Sequence, residues 1–164
     1  MKKFLEDYTK DKINDLVERK NILIIDDENN VRESLKIILS NDYNIYLAED
    51  YDSAEKVLGK NDIDVVILDV LLPKLPGEEV LKKIKLTQPD TEIIIHSVVS
   101  DDKKRIKSFY DLGAYTYLIK PTSIEDIKIN VKNAYNKCVV KKVMTFLENQ
   151  LGKNWHSKKH IMNI

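Results

Sequence analysis

Residues 22–28 read Ile22-Leu23-Ile24-Ile25-Asp26-Asp27-Glu28, four apolar side chains in a row and then three carboxylates. An apolar run without polar alternation is the mark of a strand buried on both faces. The abrupt change to acid shows where that strand leaves the core. Short apolar runs recur at Val65-Val66-Ile67-Leu68, Ile93-Ile94-Ile95 and Tyr117-Leu118-Ile119, and Ile45-Tyr46-Leu47 is a weaker strand. Between them the spacing turns helical. Val31, Leu35, Ile38 and Leu39 follow an expected cap at Asn30 with Glu33 three residues on. Ala54, Val57 and Leu58 lie between an expected cap at Asp52 and an expected stop at Gly59. Val80, Leu81 and Ile84 follow a loop holding Pro73, Pro76 and Gly77. Another helix runs from about Asp102 to Leu112 and stops at Gly113, and a last one starts at Ser123 with Asp126 completing a capping box. Buried strands alternating with helices require a parallel sheet covered on both faces. An all-helical bundle would have to treat each apolar run as a helix fragment.

The ends of the chain carry more than this fold needs. Residues 1–20 combine eleven charges with a loose stripe of Phe4, Leu5, Tyr8, Ile13, Leu16 and Val17, and read as a helical arm. The last helical pattern continues to Leu151 before Gly152 supplies a stop, longer than the usual range of about 8–20 residues. Its second stripe, Val140, Met144, Leu147 and Leu151, needs a partner: the arm, a second copy or a further domain. The expected division is an arm over 1–20, a central domain over 21–137 and a basic helical extension over 138–164.

Composition narrows the function. The 164 residues are 43% hydrophobic and 33% charged, with 27 basic and 27 acidic side chains. The zero total conceals segregation. From Lys137 onward six lysines face Glu148 alone, a net of +5, leaving −5 on the first 136 residues. That tail also holds Trp155, His156 and His160. A solvated helix end is the favoured reading of it, and direct nucleic-acid binding is not expected. The single cysteine, Cys138, excludes an internal disulfide and a Cys-based zinc cluster. No apolar run approaches the ~18 residues of a membrane span, and the start lacks the apolar stretch of a secretory signal. A cytoplasmic protein is expected.

In an open α/β sheet the site lies beyond the carboxyl ends of the strands. Those positions here are Asp26, Asp27 and Glu28 after the first strand, Asp69 after the third, Ser97 after the fourth, and Lys120-Pro121 after the fifth. Crowded carboxylates need a counter-charge, and an all-oxygen set suits Mg²⁺, with Mn²⁺ also acceptable. Lys120 and Ser97 can donate to a phosphoryl group, and a carboxylate can itself be the nucleophile. The residues therefore point to metal-assisted phosphoryl transfer onto an aspartate. A dinucleotide-binding turn or a P-loop would need glycines where Asp26-Asp27-Glu28 stands.

With ILIIDDENNVRESL, VVILDVLLPKLPG and GAYTYLIKP in this order, the chain resembles the receiver domain of two-component response regulators from about Asn21 to Lys137. The resemblance implies a doubly wound, flavodoxin-like five-stranded parallel sheet of order 2-1-3-4-5. It implies Asp69 as phosphoacceptor; Asp26, Asp27, Asp69 and the backbone carbonyl of Leu71 around the metal; Lys120 on the phosphoryl group, with a cis bond to Pro121; and Ser97 and Tyr117 as the switch. The donor would be a histidine kinase or phosphotransfer protein, and the only chemistry self-phosphorylation and self-dephosphorylation. A stand-alone signalling receiver is favoured. The alternative is the regulatory domain of a longer transcriptional regulator, with the last helix as a dimerising linker. Departures from the family pattern are Val98 after the switch hydroxyl, Thr122 after Lys-Pro, and His96 at the end of the fourth strand, expected to be a core or rim histidine. Leu71 and Val99 occupy positions that in this family govern the hydrolytic water. Neither can hydrogen-bond one through its side chain, so slow dephosphorylation is expected.

Overall fold

The computed structural model describes the backbone of residues 1–162 and the side chains of residues 1–152. Eleven elements follow one another: α1 (Lys2–Glu18), β1 (Asn21–Ile25), α2 (Asn29–Leu39), β2 (Asn44–Ala48), α3 (Tyr51–Lys60), β3 (Val65–Leu68), α4 (Gly77–Thr87), β4 (Glu92–Ser97), α5 (Lys103–Asp111), β5 (Thr116–Ile119) and α6 (Ile124–Met162). The strands form one parallel sheet of order β2-β1-β3-β4-β5, the order the resemblance implies.

Every residue of β1, β3 and β4 is buried, and each strand is built around an unbroken apolar run. The edge strand β2 is only partly buried, which is why its sequence signal is weak. Alternate side chains divide the core. Leu23, Ile25, Val66, Leu68, Ile93 and Ile95 pack with residues of α3, α4 and α5. The remaining buried side chains, among them Ile22, Ile24 and Ile94, share the other face with those of α2 and α6. Each fully buried aliphatic contributes about 1.5–3 kcal/mol relative to exposure, so two such layers easily fix the register.

Several helix ends differ from expectation. α2 starts at Asn29 behind Glu28, not behind Asn30. The reason is local: Asp26 Oδ1 accepts the Glu28 backbone N–H at 2.9 Å and closes the turn one step earlier. α3 is capped by Asp50 instead of Asp52, because Asp50 and Ser53 exchange side-chain bonds with each other's backbone N–H. α3 also passes through Gly59 and ends at Asn61, whose Nδ2 and backbone N–H both bond the Val57 carbonyl. α5 follows its cap Asp102, whose side chain accepts the Arg105 N–H. It gives way at Gly113 with φ +97°, where glycine avoids the strain of a left-handed residue. Ser123 Oγ accepts the Asp126 N–H and starts α6. α6 does not stop at Gly152 but continues to Met162.

The chain forms two compact units, one of residues 20–138 and one of residues 1–19 with 139–164. In the second unit the less exposed residues of α1 are Thr9, Ile13 and Leu16, at helical spacing; those of α6 are Val139, Lys141, Lys142, Val143, Phe146 and Gln150. The stripe of Val140, Met144, Leu147 and Leu151 remains exposed. The side chains of Lys153, Trp155, His156, Lys158, Lys159 and His160 lie outside the described residues. No helix among the described residues is long and apolar enough to cross a membrane.

Candidate functional site

The carboxyl ends of β1, β3 and β5 deliver Asp26, Asp69 and Lys120 to one point. In-register parallel pairing does this without help from the loops, since Ile25 sits opposite Leu68 and the next residue of each strand is its aspartate. Lys120 Nζ donates to Asp26 Oδ2 at 2.8 Å and to Asp69 Oδ2 at 3.1 Å. Both aspartates are buried, and the lysine side chain is 11% exposed. Their remaining oxygens are also engaged. Asp26 Oδ1 accepts the Glu28 N–H, and Asp69 Oδ1 accepts the Leu71 N–H at 3.1 Å. Arg32 fixes the same turn from α2 by donating to the Asp26 carbonyl at 2.6 Å.

The electrostatics follow from this packing. Burial pushes the Asp26 carboxyl above its ordinary value, against the opposing pull of Lys120 and the Glu28 N–H. Burial also opposes the Lys120 charge, but the two carboxylates outweigh it and hold the ammonium above its usual value. One cation bridges two buried anions, so the triad retains a net negative charge.

Asp27 and Glu28 stand at the solvent side of the pair, both exposed. Carboxylate oxygens of Asp26, Asp27, Glu28 and Asp69 lie within 4.8 Å of one another, an oxygen-only set suited to a hard divalent cation. Glu28 is the member of this group that the sequence-derived ligand set lacks; its adjacency to Asp26-Asp27 was the available signal. Leu71 contributes its backbone N–H to Asp69, and its side chain is 47% exposed.

On the other side of Asp69, Ser97 is fully buried at the end of β4, its Oγ accepting the Val99 N–H at 3.4 Å. The half-buried Tyr117 donates its hydroxyl to the Val99 carbonyl at 2.8 Å and packs its ring against Phe109, centroids 5.9 Å apart. Burial raises the Tyr117 phenol above its ordinary value, while the neighbouring Ser97 hydroxyl and the Arg105 charge offset part of the rise. Arg105 in turn clamps Glu78 of α4 in a two-pronged ion pair, Nε to Oε1 at 2.6 Å and Nη2 to Oε2 at 3.1 Å. The loop after β5 is fixed by a cis bond between Lys120 and Pro121. His96, as expected of a core or rim residue, is buried at 7% exposure. The structure thus gathers Asp26, Asp27, Asp69 and Lys120 at one point, with Ser97 and Tyr117 along one adjoining path.

Comparison with known proteins agrees with this geometry. The family described as the response regulator receiver domain matches residues 22–132. Response regulator MprA of Mycobacterium sp. (strain KMS) is 37% identical over 107 residues, covering 65% of this chain and 46% of that protein. The chain therefore spans about half the length of the curated relatives it matches. Among solved structures, a response regulator receiver domain protein from Clostridium thermocellum superposes with TM-score 0.67 at 32% identity, covering 76% of this chain and 98% of that one. A two-component response regulator from Clostridium difficile gives 0.68 at 27%, covering 72% and 97%. With its matched stretch spanning most of the sheet and every strand end described above, this chain belongs to the response regulator receiver domain family.

Proposed function

We propose that Asp69 accepts a phosphoryl group from the phosphohistidine of a sensor histidine kinase or phosphotransfer protein, acting in the cytoplasm as a signalling switch. The observation that carries this is the sharing of Lys120 between Asp26 and Asp69, beside two further carboxylates. Mg²⁺, or Mn²⁺, fits the oxygen set; Asp26, Asp27, Asp69 and the carbonyl of Leu71 would hold it, with Glu28 close by. When bound, the cation supplies charge neutralisation for the incoming phosphoryl oxygens. In the transfer, a carboxylate oxygen of Asp69 forms a bond to phosphorus as the bond from phosphorus to the donor nitrogen breaks, and the donor histidine leaves neutral once it is protonated. Lys120 then exchanges its bond to the Asp69 carboxylate for one to a phosphoryl oxygen, a charge-assisted contact that needs no new burial. Ser97 offers a hydroxyl to the same group, and its movement would pull on the Val99 loop that Tyr117 grips. The new charge thereby biases the face built by α5, β5 and α6. No other enzymatic activity is assigned.

The test is incubation of the full chain with acetyl phosphate and Mg²⁺, followed by intact mass. One added phosphoryl group in the wild type and none in Asp69→Asn is the expected result. Equal labelling of both proteins would overturn the assignment.

A second reading concerns assembly. The exposed stripe of Val140, Met144, Leu147 and Leu151 on α6 favours self-association through this helix, as in a dimerising linker of a longer regulator. Sedimentation before and after phosphorylation would detect it, and a monomer in both states would remove it.

A further inference from the structure

Two loops flank Asp69, and the helices they lead into are tied together. One loop runs from β3 into α4. It gives the Leu71 N–H to Asp69 Oδ1. It also delivers α4 so close to Val70 that a Cβ on Gly77 would stand 2.6 Å from the Val70 Cα. The start of α4 is therefore fixed against the residue that follows Asp69. The other loop runs from β4 into α5. Its residues Val98, Ser100 and Asp101 are exposed. Its half-buried Val99 is held by two hydrogen bonds, its N–H donating to Ser97 Oγ at 3.4 Å and its carbonyl accepting the Tyr117 hydroxyl at 2.8 Å.

Glu78 and Arg105 join the first turns of these two helices. The guanidinium meets the carboxylate fork to fork, at 2.6 and 3.1 Å, with the side chains only 29% and 23% exposed. Two parallel bonds fix orientation as well as distance. The hydrogen bonds from Arg105 hold the Glu78 carboxyl below its ordinary value, so the pair stays charged at neutral pH. Arg105 also lies over the Phe109 ring, 5.9 Å from its centroid, and Phe109 in turn packs against Tyr117. The ion pair is already fully closed. Drawing the two helix starts apart by about 1 Å would carry both bonds beyond hydrogen-bonding range.

We propose that the Glu78–Arg105 pair is a latch that holds the β4–α5 loop in its resting position and so restrains phosphorylation of Asp69. The latch presupposes the transfer to Asp69 proposed above, in which Ser97 moves towards the phosphoryl group and draws Val99 with it. Asp102, the cap of α5, lies only three residues beyond Val99, so the first turn of α5 is the next part to be displaced. The start of α4 cannot follow, because Gly77 is pressed on Val70. A bond complete in the resting arrangement and broken in the other favours the resting one by its own free energy. Glu78 and Arg105 are thus positioning residues for the switch.

The test is the initial rate of mass gain of the full chain with acetyl phosphate and Mg²⁺. Glu78→Gln keeps the side-chain shape but offers one acceptor in place of two and no charge. It should be phosphorylated about two- to fivefold faster than the wild type. Arg105→Gln should match it, and the double variant should be no faster than either single, since the two residues act as one unit. Asp111→Asn is the control. It breaks an ion pair internal to α5, Lys107 Nζ to Asp111 Oδ2 at 3.0 Å, and should leave the rate unchanged. Amide hydrogen exchange over residues 98–104 of the unphosphorylated protein should quicken in Glu78→Gln and not in Asp111→Asn. A merely structural ion pair would lower stability without raising the rate. Equal rates in wild type and Glu78→Gln, additive effects in the double variant, the same gain in Asp111→Asn or unchanged loop exchange would each overturn the latch and leave the assignment of Asp69 standing. No mass gain in any of these proteins would overturn that assignment, and the latch with it.

Discussion

Burial of the His96 imidazole ties stability to pH in a way that can be calculated. Its ordinary value of 6.5 falls to about 4 in the fold, chiefly because burial penalises the charged form. A depressed value means that the folded state refuses a proton which the unfolded chain accepts. Above pH 6.5 neither state is protonated and nothing is lost. As pH falls from 6.5 towards 4, the unfolded chain is favoured progressively, and below 4 the loss levels off. The full span corresponds to about 3 kcal/mol, of which about 2 kcal/mol falls between pH 7 and pH 5. The assay is urea unfolding followed by far-UV circular dichroism, at pH 7 and pH 5, for the wild type and for His96→Leu. Carboxylates such as Asp26 titrate in both proteins and cancel in the comparison. Wild-type stability should therefore drop by about 2 kcal/mol more than that of the variant. Parallel pH dependences would show that His96 is either solvated or charged in the fold, and would refute the reasoning.

Three other outcomes are expected. Lys120→Met leaves Asp26 and Asp69 facing each other without a counter-charge, which should cost about 3 kcal/mol in EDTA. Added Mg²⁺ should restore much of it, and unfolding curves with and without the ion check this. Gly77→Ala places a Cβ 2.6 Å from the Val70 Cα, a backbone atom that cannot step aside. Thermal unfolding should show a loss of about 1–3 kcal/mol. Leu71 and Val99 offer no side-chain hydrogen bond to a hydrolytic water, so phosphorylated protein should decay slowly. A half-life of seconds, measured by intact mass after removal of the donor, would contradict this.

The sheet was legible because β1, β3 and β4 are buried on both faces, so the middle of each is a continuous apolar run, with the buried polar residues Asn21, Glu92, His96 and Ser97 only at strand ends. Strand ends then follow from the switch from apolar to acid, hydroxyl or ammonium, which is how Asp26, Asp69, Ser97 and Lys120 can be found from the sequence. Helix caps were less legible, because several Asp and Asn residues compete within three positions. Only backbone geometry shows that Asp50 rather than Asp52 engages Ser53, or that Asp26 is spent closing the turn at Glu28. Gly152 illustrates another limit. A helical glycine costs only about 1 kcal/mol relative to alanine, too little to stop α6 when its neighbours favour continuation.

Lys120 is a resident counter-ion to Asp26 and Asp69. Because one ammonium already neutralises part of the carboxylate cluster, the domain can complete its fold before any metal arrives. Loading a divalent ion is then a redistribution of charge among groups already in place, and stripping it should silence phosphoryl uptake while leaving the sheet intact. If the site takes a divalent ion as proposed, the lysine would make its loading reversible, so phosphoryl uptake would follow local ion supply without each cycle risking the fold.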